Sequence, residues 1–178
     1  MDFKQLSETR RSIRAYDSSK LVSREQLEEI ISSAIEAPSW GNSQTARFYC
    51  TPSGNMNDKV RECLPPFNAK NTAGAAYIVT TFVSGTAGFS ASGGKQVNEC
   101  GNGWGFYDLG LSSMLLTLKA HEMGLGTLIM GVRDAEKLRA LLKIPDSEVV
   151  VAVIAVGYPA INPEHTKRKP LLEVAKFF

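Results

Sequence analysis

The sequence predicts a mixed β-sheet covered by helices and folded as one domain spanning residues 1–178. Two capped helical segments and three segments rich in β-branched and aromatic residues support this prediction. Helices and strands are interspersed but do not alternate strictly, so we expect strands that run in both directions. With 178 residues, 43% of them hydrophobic and 21% charged, the chain has the composition of an ordinary globular domain.

The clearest element is a helix over residues 23–37. Ser23 and Gln26 form a capping box, which satisfies amide groups that the first helical turn leaves without partners. Apolar residues then fall on one stripe, and Pro38 disfavours helical geometry at the residue before it. A shorter helix is predicted over residues 2–8.

The predicted strands cover residues 47–51, 76–82 and 149–156. Residues 126–130 are a candidate fourth strand, because this run is too short for a typical helix. Residues 149–156 are unbroken Val, Ala and Ile, which is typical of a central strand covered on both faces.

Two further helices and one long loop complete the prediction. Residues 104–123 are nearly uncharged and apolar on several sides, which predicts a helix buried all round, either in a core or between subunits. A final helix is predicted over residues 134–142, with Asp134 as its cap. Residues 85–105 are rich in glycine, and a loop of this length is usually a lid, a binding loop or an insertion.

Charge and cysteine content exclude several classes of protein. A net charge of +2 is too balanced for a surface built to hold nucleic acid. Three cysteines without a close C-x-x-C pair argue against a disulfide framework or a zinc ribbon, and reduced thiols suit the cytosol. No secretory signal and no apolar run of about 20 residues is visible, so we expect a cytoplasmic protein with no membrane contact.

Side-chain catalysis finds no support in the sequence. There is no G-x-S-x-G elbow, and a lone helical His121 is more often structural than catalytic. Two histidines without a paired cysteine motif make a metal site improbable. Phosphate loops fail as well, because Gln96 stands where a Walker A motif needs Ser or Thr.

Two basic clusters and one polar loop are the remaining candidates. Residues 10–14 and 167–169 carry cations that could bind phosphate, although composition alone favours solvated surface charge. Residues 38–44 supply Ser, Asn and Gln donors and acceptors on a turn fixed by Pro and Gly.

Taken in order, these segments resemble the nitroreductase family of FMN-dependent oxidoreductases. The resemblance runs from about Leu6 to the C-terminus, and its spacing is specific. The segments that carry it are Arg10-Arg11-Ser12-Ile13-Arg14, Ala37-Pro38-Ser39-x-x-Asn42-x-Gln44, Gly124-Leu125-Gly126-Thr127, Gly157-Tyr158-Pro159 and Lys167-Arg168-Lys169-Pro170.

The resemblance implies an α+β fold, a three-layer α/β/α sandwich around a mixed, mainly antiparallel sheet. It also implies an intertwined homodimer with FMN at each subunit interface. NADH or NADPH would reduce the flavin, which would then reduce a nitroaromatic, a quinone or a related small acceptor by a ping-pong mechanism. No catalytic side chain and no metal is needed, because the chemistry takes place on FMN.

The family's cofactor-binding positions carry over residue by residue. The first flavin segment is Arg10, Arg11, Ser12 and Arg14, with Arg14 near the N1/O2 edge of the ring. The partner's segment is Pro38, Ser39, Trp40 and Asn42. The remaining matches are Asn68, the strand residues Leu128, Ile129, Met130 and Gly131, and the phosphate contact Arg168 with Lys167 or Lys169. The Gly131 amide is the candidate donor to N5.

The chain also departs from the family pattern. Thr45-Ala46 replaces the usual Pro-Trp, and Trp40 and Gly41 replace smaller or more polar residues. The chain is short for the family, so residues 84–103 are expected to form the substrate wall.

Two alternatives remain open. One is a flavin-binding sensor or carrier without efficient turnover, and the other is a nucleic-acid-binding domain that uses the two basic clusters.

Overall fold

A computed structural model describes residues 1–52, 54–92 and 94–178 of the chain. The helices are α1 (Phe3–Thr9), α2 (Arg24–Ala34), α3 (Asn55–Glu62), α4 (Pro66–Asn71), α5 (Gly103–Glu122), α6 (Ala135–Leu142) and α7 (Leu171–Val174). The strands are β1 (Ala46–Thr51), β2 (Ala76–Val83), β3 (Gly126–Met130) and β4 (Glu148–Gly157). A 3-10 turn covers Trp40–Asn42.

The four strands form one sheet in the order β1-β2-β4-β3, with β1 and β3 at its edges. All three strand pairs are antiparallel, and β4 lies between β2 and β3 over the full length of β3. The sequence predicted a mixed sheet. In the described residues, parallel pairing is present as an isolated bridge between Ser12 and Thr127, outside the four strands.

Helices cover both faces of the sheet. One core joins sheet residues to Val60 of α3, Ala69 of α4 and Leu138 of α6. The other core joins Ile30 of α2 and Leu116 of α5 to the opposite sheet face. This arrangement confirms the predicted α+β fold with helical layers on either side of a sheet.

Local sequence signals placed most of the elements. The capping box at α2 is present: the Ser23 hydroxyl accepts from the Gln26 amide at 3.2 Å, and the Gln26 side chain accepts from the Ser23 amide at 3.0 Å. The helix ends at Ala34, earlier than predicted. All four predicted strands are present, and the fourth spans Gly126–Met130 as expected.

Of the two alternatives predicted for α5, burial all round in the core of the chain is wrong, and burial between subunits stays a prediction. One face, which includes Leu109 and Leu116, packs inside the chain, but Phe106, Tyr107 and Met114 are exposed. The uniform apolarity of the sequence therefore reflects two different surfaces, a core face and an outward apolar face. In the described part of the chain, no helix combines the length and apolar character needed to cross a bilayer.

Candidate functional site

The segment of residues 10–14 leaves α1 and runs beside the edge strand β3. Arg10 caps the end of α1, with its amide bonded to the Leu6 carbonyl. Ser12 then forms a parallel bridge with Thr127, and the Ile13 amide donates to the Thr127 carbonyl at 2.9 Å. The arginine segment is therefore attached to the sheet by backbone hydrogen bonds.

Two glycines allow this attachment. A Cβ atom on Gly126 would overlap the side chain of Ile13, and one on Gly157 would lie 2.7 Å from Cδ1 of Tyr16. The Tyr16 hydroxyl in turn donates to the Ile13 carbonyl at 3.0 Å. Burial raises the pKa of Tyr16, so this hydroxyl keeps its proton. Because Gly126 and Gly157 have no side chain, Ile13 and Tyr16 can pack directly against the backbone of β3 and β4.

The C-terminal basic cluster comes back to the same place. After β4, the chain pairs with the N-terminal segment, since the Asp17 amide donates to the Tyr158 carbonyl at 2.9 Å and the Ala160 amide to the Ala15 carbonyl at 3.0 Å. A cavity of about 280 Å³, which we call the cationic cavity, opens between the two segments. Its lining comprises Arg10, Arg11, Ser12, Arg14, Pro163, Glu164, Thr166 and Arg168.

The described lining of the cationic cavity holds four arginines and one acid, Glu164. Within the described ranges, none of its four arginines forms a salt bridge. The hydrogen bonds of Arg11, Arg14 and Arg168 go to carbonyl or hydroxyl oxygens of residues close in sequence. Burial lowers the pKa of Arg10, and the charges of Arg168 and Arg11 lower it further. A bound anion would relieve this repulsion, because guanidinium groups form charge-assisted hydrogen bonds to phosphate.

The other C-terminal cations lie outside this lining. Lys167 and Lys169 are exposed, whereas Arg168 borders the cavity. The family resemblance matched Arg168, with Lys167 or Lys169, to the phosphate contact, and the structure brings Arg168 to the arginine segment.

His121 is a residue at this site for which the sequence indicated only a structural role. Its Nε2 lies 2.8 Å from the hydroxyl of Thr9, which itself donates to the Gln5 carbonyl at 2.5 Å. Since the hydroxyl proton is already used, Nε2 must be the donor. Burial lowers the pKa of His121, as do the charges of Arg10 and Arg11 to a smaller extent. No sequence motif identifies this contact, because it joins helices that are far apart in the chain.

The predicted strand residues divide between the core and the surface. Leu128 and Met130 are buried, whereas Ile129 is 53% exposed and Gly131 is exposed. The β3–β4 ladder ends at the Met130–Val153 pair, so it does not extend to the Gly131 amide. The half-buried Asn68 lies on α4, next to Ala69, which packs against the core that holds Leu128 and Met130.

The loop of residues 38–44 is held in an unusual conformation. Gly41, Asn42 and Gln44 all have positive φ angles, of 52°, 56° and 47°. The Ser39 hydroxyl accepts from the Gln44 amide, and the buried carboxylate of Asp108 accepts from the Trp40 amide, both at 2.9 Å. The Ser39 side chain does not cap the 3-10 turn. The carboxylate of Asp108, which lies on α5 and is far away in the sequence, caps it instead.

Within one chain, the loop of residues 38–44 does not reach the cationic cavity. The loop precedes β1, whereas residues 10–14 lie beside β3, and these strands are opposite edges of the sheet. Three strand spacings separate the edges by about 14 Å. The two predicted cofactor segments are therefore apart within a single protomer.

The nitroreductase family matches residues 8–158. A relative from Archaeoglobus fulgidus, provisionally named NADH dehydrogenase/NAD(P)H nitroreductase, is 30% identical over 155 residues, which cover 85% of this chain and 82% of the relative.

Solved structures show the same likeness. One described as an oxidoreductase containing FMN is 26% identical, with a TM-score of 0.83 over 99% of this chain and 91% of that chain. A nitroreductase family protein from Streptococcus pneumoniae has a TM-score of 0.85 at 22% identity, over 99% of this chain and 100% of that chain. This second likeness concerns the fold alone.

Proposed function

The chain belongs to the nitroreductase family, and from this premise we propose that it is an FMN-dependent oxidoreductase. It uses NADH or NADPH to reduce nitroaromatic, quinone or related small acceptors by a ping-pong mechanism. The relative named for NAD(P)H nitroreductase activity and the similar structure that contains FMN both support the proposal.

The cationic cavity is the observation that carries this proposal. Its donors are guanidinium groups and a Ser hydroxyl, which fit the charge and oxygen atoms of a phosphate monoester. We assign Arg10, Arg11, Ser12 and Arg168 to the FMN phosphate and ribityl oxygens, with Lys169 as an outer cation. Arg14, which is exposed beside them, is assigned to the N1/O2 edge of the ring.

The remaining cofactor positions follow the family pattern. The Gly131 amide is assigned to N5, the backbone of Leu128, Ile129 and Met130 to the plane of the ring, and Asn68 to a polar contact. Pro38, Ser39, Trp40 and Asn42 are assigned to the cofactor of a second copy, since they lie at the opposite sheet edge from the cationic cavity.

We therefore propose a homodimer, and exposed apolar surface supports it. No residue of α1 is buried within the chain, and Phe3 on that helix is 75% exposed. The outward face of α5 and the tail residues Leu171, Leu172 and Phe177 are also exposed. Large contiguous apolar patches mark interaction sites on folded proteins, and a homodimer would cover these side chains.

When bound, FMN supplies the redox chemistry by accepting a hydride from the nicotinamide and then reducing the acceptor. Overall, NADH, one proton and a quinone give NAD⁺ and the hydroquinone. The residues of this chain hold the phosphate, fix the ring and place a cation where negative charge develops. No side chain needs to act as an acid, since solvent supplies the proton. We place the enzyme in the reducing cytoplasm because Cys50, Cys63 and Cys100 are free thiols.

The direct test is an absorption spectrum of the purified protein, followed by heat release and chromatography to identify FMN. NADH or NADPH should bleach the bound flavin rapidly, and menadione or a nitrofuran should sustain many turnovers. Protein that stays colourless with excess FMN would refute the proposal. Flavin that binds but is not bleached would instead indicate the sensor or carrier. Tight, salt-sensitive DNA or RNA binding would support a nucleic-acid-binding domain.

A further inference from the structure

Trp40 and Trp104 are the two tryptophans of the chain, and they lie side by side. Their ring centroids are 4.5 Å apart, with the planes tilted by 51°. Trp40 belongs to the loop of residues 38–44, whereas Trp104 lies in the first turn of α5 and also contacts the ring of Tyr107. This contact ties the loop to the structure that surrounds Trp104.

That structure is the glycine-rich segment of residues 85–102, which we call the hairpin. The Ser90 amide donates to the Lys95 carbonyl at 2.8 Å, and the Val97 amide donates to the Gly88 carbonyl at 2.9 Å. Phe89 pairs antiparallel with Gln96. The hairpin is thus organised by backbone hydrogen bonds, although Gly93 within it lies outside the described residues.

Trp104 fixes the hairpin by two contacts. Its Nε1 donates to Oδ1 of Asn98 at 3.0 Å. Gly88, at φ +81°, approaches the indole so closely that a Cβ atom would lie 2.7 Å from Cδ1 of Trp104. The indole of Trp104 therefore holds the hairpin on one side and Trp40 on the other.

A cavity of about 560 Å³ lies between the loop and the hairpin, within the size range of small-molecule sites. Its described lining consists of Trp40, Gly41, Ser43, Gly85, Thr86, Phe89, Ser90, Ala91 and Gly94, none of which is charged. The buried hydroxyl of Ser43 has no hydrogen-bond partner in the part of the chain that the structure describes. Because that oxygen has no surface open to solvent, the lining hydroxyls that can donate to a ligand oxygen are those of Thr86 and Ser90.

We infer that this cavity is the subsite that selects the electron acceptor, and that it selects for absence of charge. The occupant is a flat, uncharged ring whose oxygen atoms accept hydrogen bonds from hydroxyls, while the Trp40 and Phe89 rings supply apolar walls. Trp40 and Ser90 are then specificity-determining residues. The inference rests on the proposed function, because the acceptor has no role without a reduced cofactor.

The redox balance is that of the proposed reaction. A quinone in the cavity takes up two electrons and two protons and leaves as the hydroquinone. NADH supplies the electrons and one proton as hydride, and solvent supplies the second proton. The cavity itself contributes walls and hydrogen-bond donors.

A pair of matched variants tests the inference. Ser90→Asp places a carboxylate in the uncharged lining, whereas Ser92→Asp places the same charge on the exposed part of the hairpin outside it. Because an apolar ring would have to displace the water bound to that carboxylate, Ser90→Asp should raise the KM for menadione about tenfold. Ser92→Asp should leave it within about twofold. Reduction of bound FMN by NADH, followed by flavin bleaching without acceptor, measures the first half-reaction separately and should be unchanged in Ser92→Asp.

Tryptophan fluorescence gives a second readout that needs no turnover. Both tryptophans report on this region, so menadione added to the oxidised holoprotein should quench their emission saturably. In Trp104→Phe the quenching by menadione should persist through Trp40, and Ser90→Asp should weaken the apparent affinity by the same factor as the KM.

The outcomes separate the two proposals. Absence of FMN bleaching by NADH or NADPH would refute the proposed function. Two results would overturn the acceptor subsite while bleaching by NADH or NADPH stays normal. One is an equal change of the KM for menadione in Ser90→Asp and Ser92→Asp. The other is tryptophan quenching by menadione that does not saturate.

Discussion

Among the described residues that line the cationic cavity, Arg168 is the arginine that comes from the C-terminal part of the chain. Arg168→Ala should weaken FMN binding about tenfold to a hundredfold, since it removes a charge-assisted contact to the phosphate. Flavin fluorescence titration measures this affinity. Riboflavin, which has no phosphate, should bind equally well to both proteins.

The matched control for Arg168 is Lys59→Ala, which removes the same charge from an exposed position on α3 outside the cavity. It should leave FMN affinity unchanged. An equal loss of riboflavin affinity in Arg168→Ala would contradict a phosphate contact.

Arg14 borders the same cavity but is assigned to the ring rather than the phosphate. Arg14→Gln should remove about 1.5–3 kcal/mol of stabilisation of the reduced, anionic ring and lower the two-electron potential by about 30–60 mV. Spectroelectrochemistry of the FMN-loaded variant provides the measurement. If the variant still binds FMN and its reduction potential is unchanged, Arg14 does not contact the N1/O2 edge of the ring.

His121 makes stability depend on pH. Its pKa is lowered in the folded protein, first by burial and then by Arg10 and Arg11. The stabilisation from the neutral imidazole is therefore complete above the unfolded pKa, about 6.5, and is lost as pH falls through the lower folded value.

His121→Gln, which retains a donor for Thr9, should accordingly lose less unfolding free energy than the parent between about pH 7.5 and pH 5.5. Urea unfolding at the two pH values measures the difference. His165→Gln, in the exposed tail, is the control and should behave like the parent. If the unfolding free energy of all three proteins changes equally between the two pH values, His121 is not the source of the pH dependence.

The approach of residues 10–14 to β3 depends on Gly126. Gly126→Ala should destabilise the fold by roughly 1–3 kcal/mol and weaken FMN binding, because its methyl group would overlap Ile13 and displace the arginine segment. Urea unfolding and FMN titration test this. Ile13→Ala removes the Cγ1 and Cγ2 atoms that the new methyl group would meet, so the double variant should lose less than the sum of the two single losses. A fully additive double variant would point to another cause.

The elements that sequence patterns predicted are those with strong local signals. The Ser23–Gln26 capping box and the continuous apolar run of β4 each have a direct physical cause in neighbouring residues. The helices α3 and α4 were not predicted. The first buries only Val60 and has no side-chain cap, and the second has six residues, so each has too few apolar positions to define a helical stripe in the sequence.

The candidate site was predicted in part for a similar reason. The arginine residues could be found as a cluster, and the family resemblance supplied their role. The contact of His121 with Thr9 and the role of Asp108 in capping the Trp40 turn depend on tertiary packing between distant segments. Such pairs leave no mark in the local sequence.

At the scale of the whole molecule, we expect the outward apolar face of α5 to form the contact between the two copies of the proposed homodimer. Met114→Glu should shift the protein from dimer to monomer and lower its FMN content, since it buries a charge in the apolar interface. Analytical ultracentrifugation measures the first effect and absorbance the second.

Met56→Glu is a closely matched control on α3. Met56 is 41% exposed and Met114 is 44% exposed, so both substitutions change the same residue type at similar exposure. The control should remain dimeric with its full FMN content. A dimer that survives Met114→Glu would exclude this face as the contact.

The cationic cavity draws its arginines from positions 10–14 and from position 168. During translation, Arg168 is added 154 residues after Arg14 (168 minus 14), which takes on the order of ten to thirty seconds at ribosomal speed. Until then the nascent chain presents an incomplete anion receptor. Under the proposed assignment of Arg168 to the phosphate, full affinity for FMN would arise only after the sheet has been synthesised, and bound FMN would then connect early and late segments of the polypeptide.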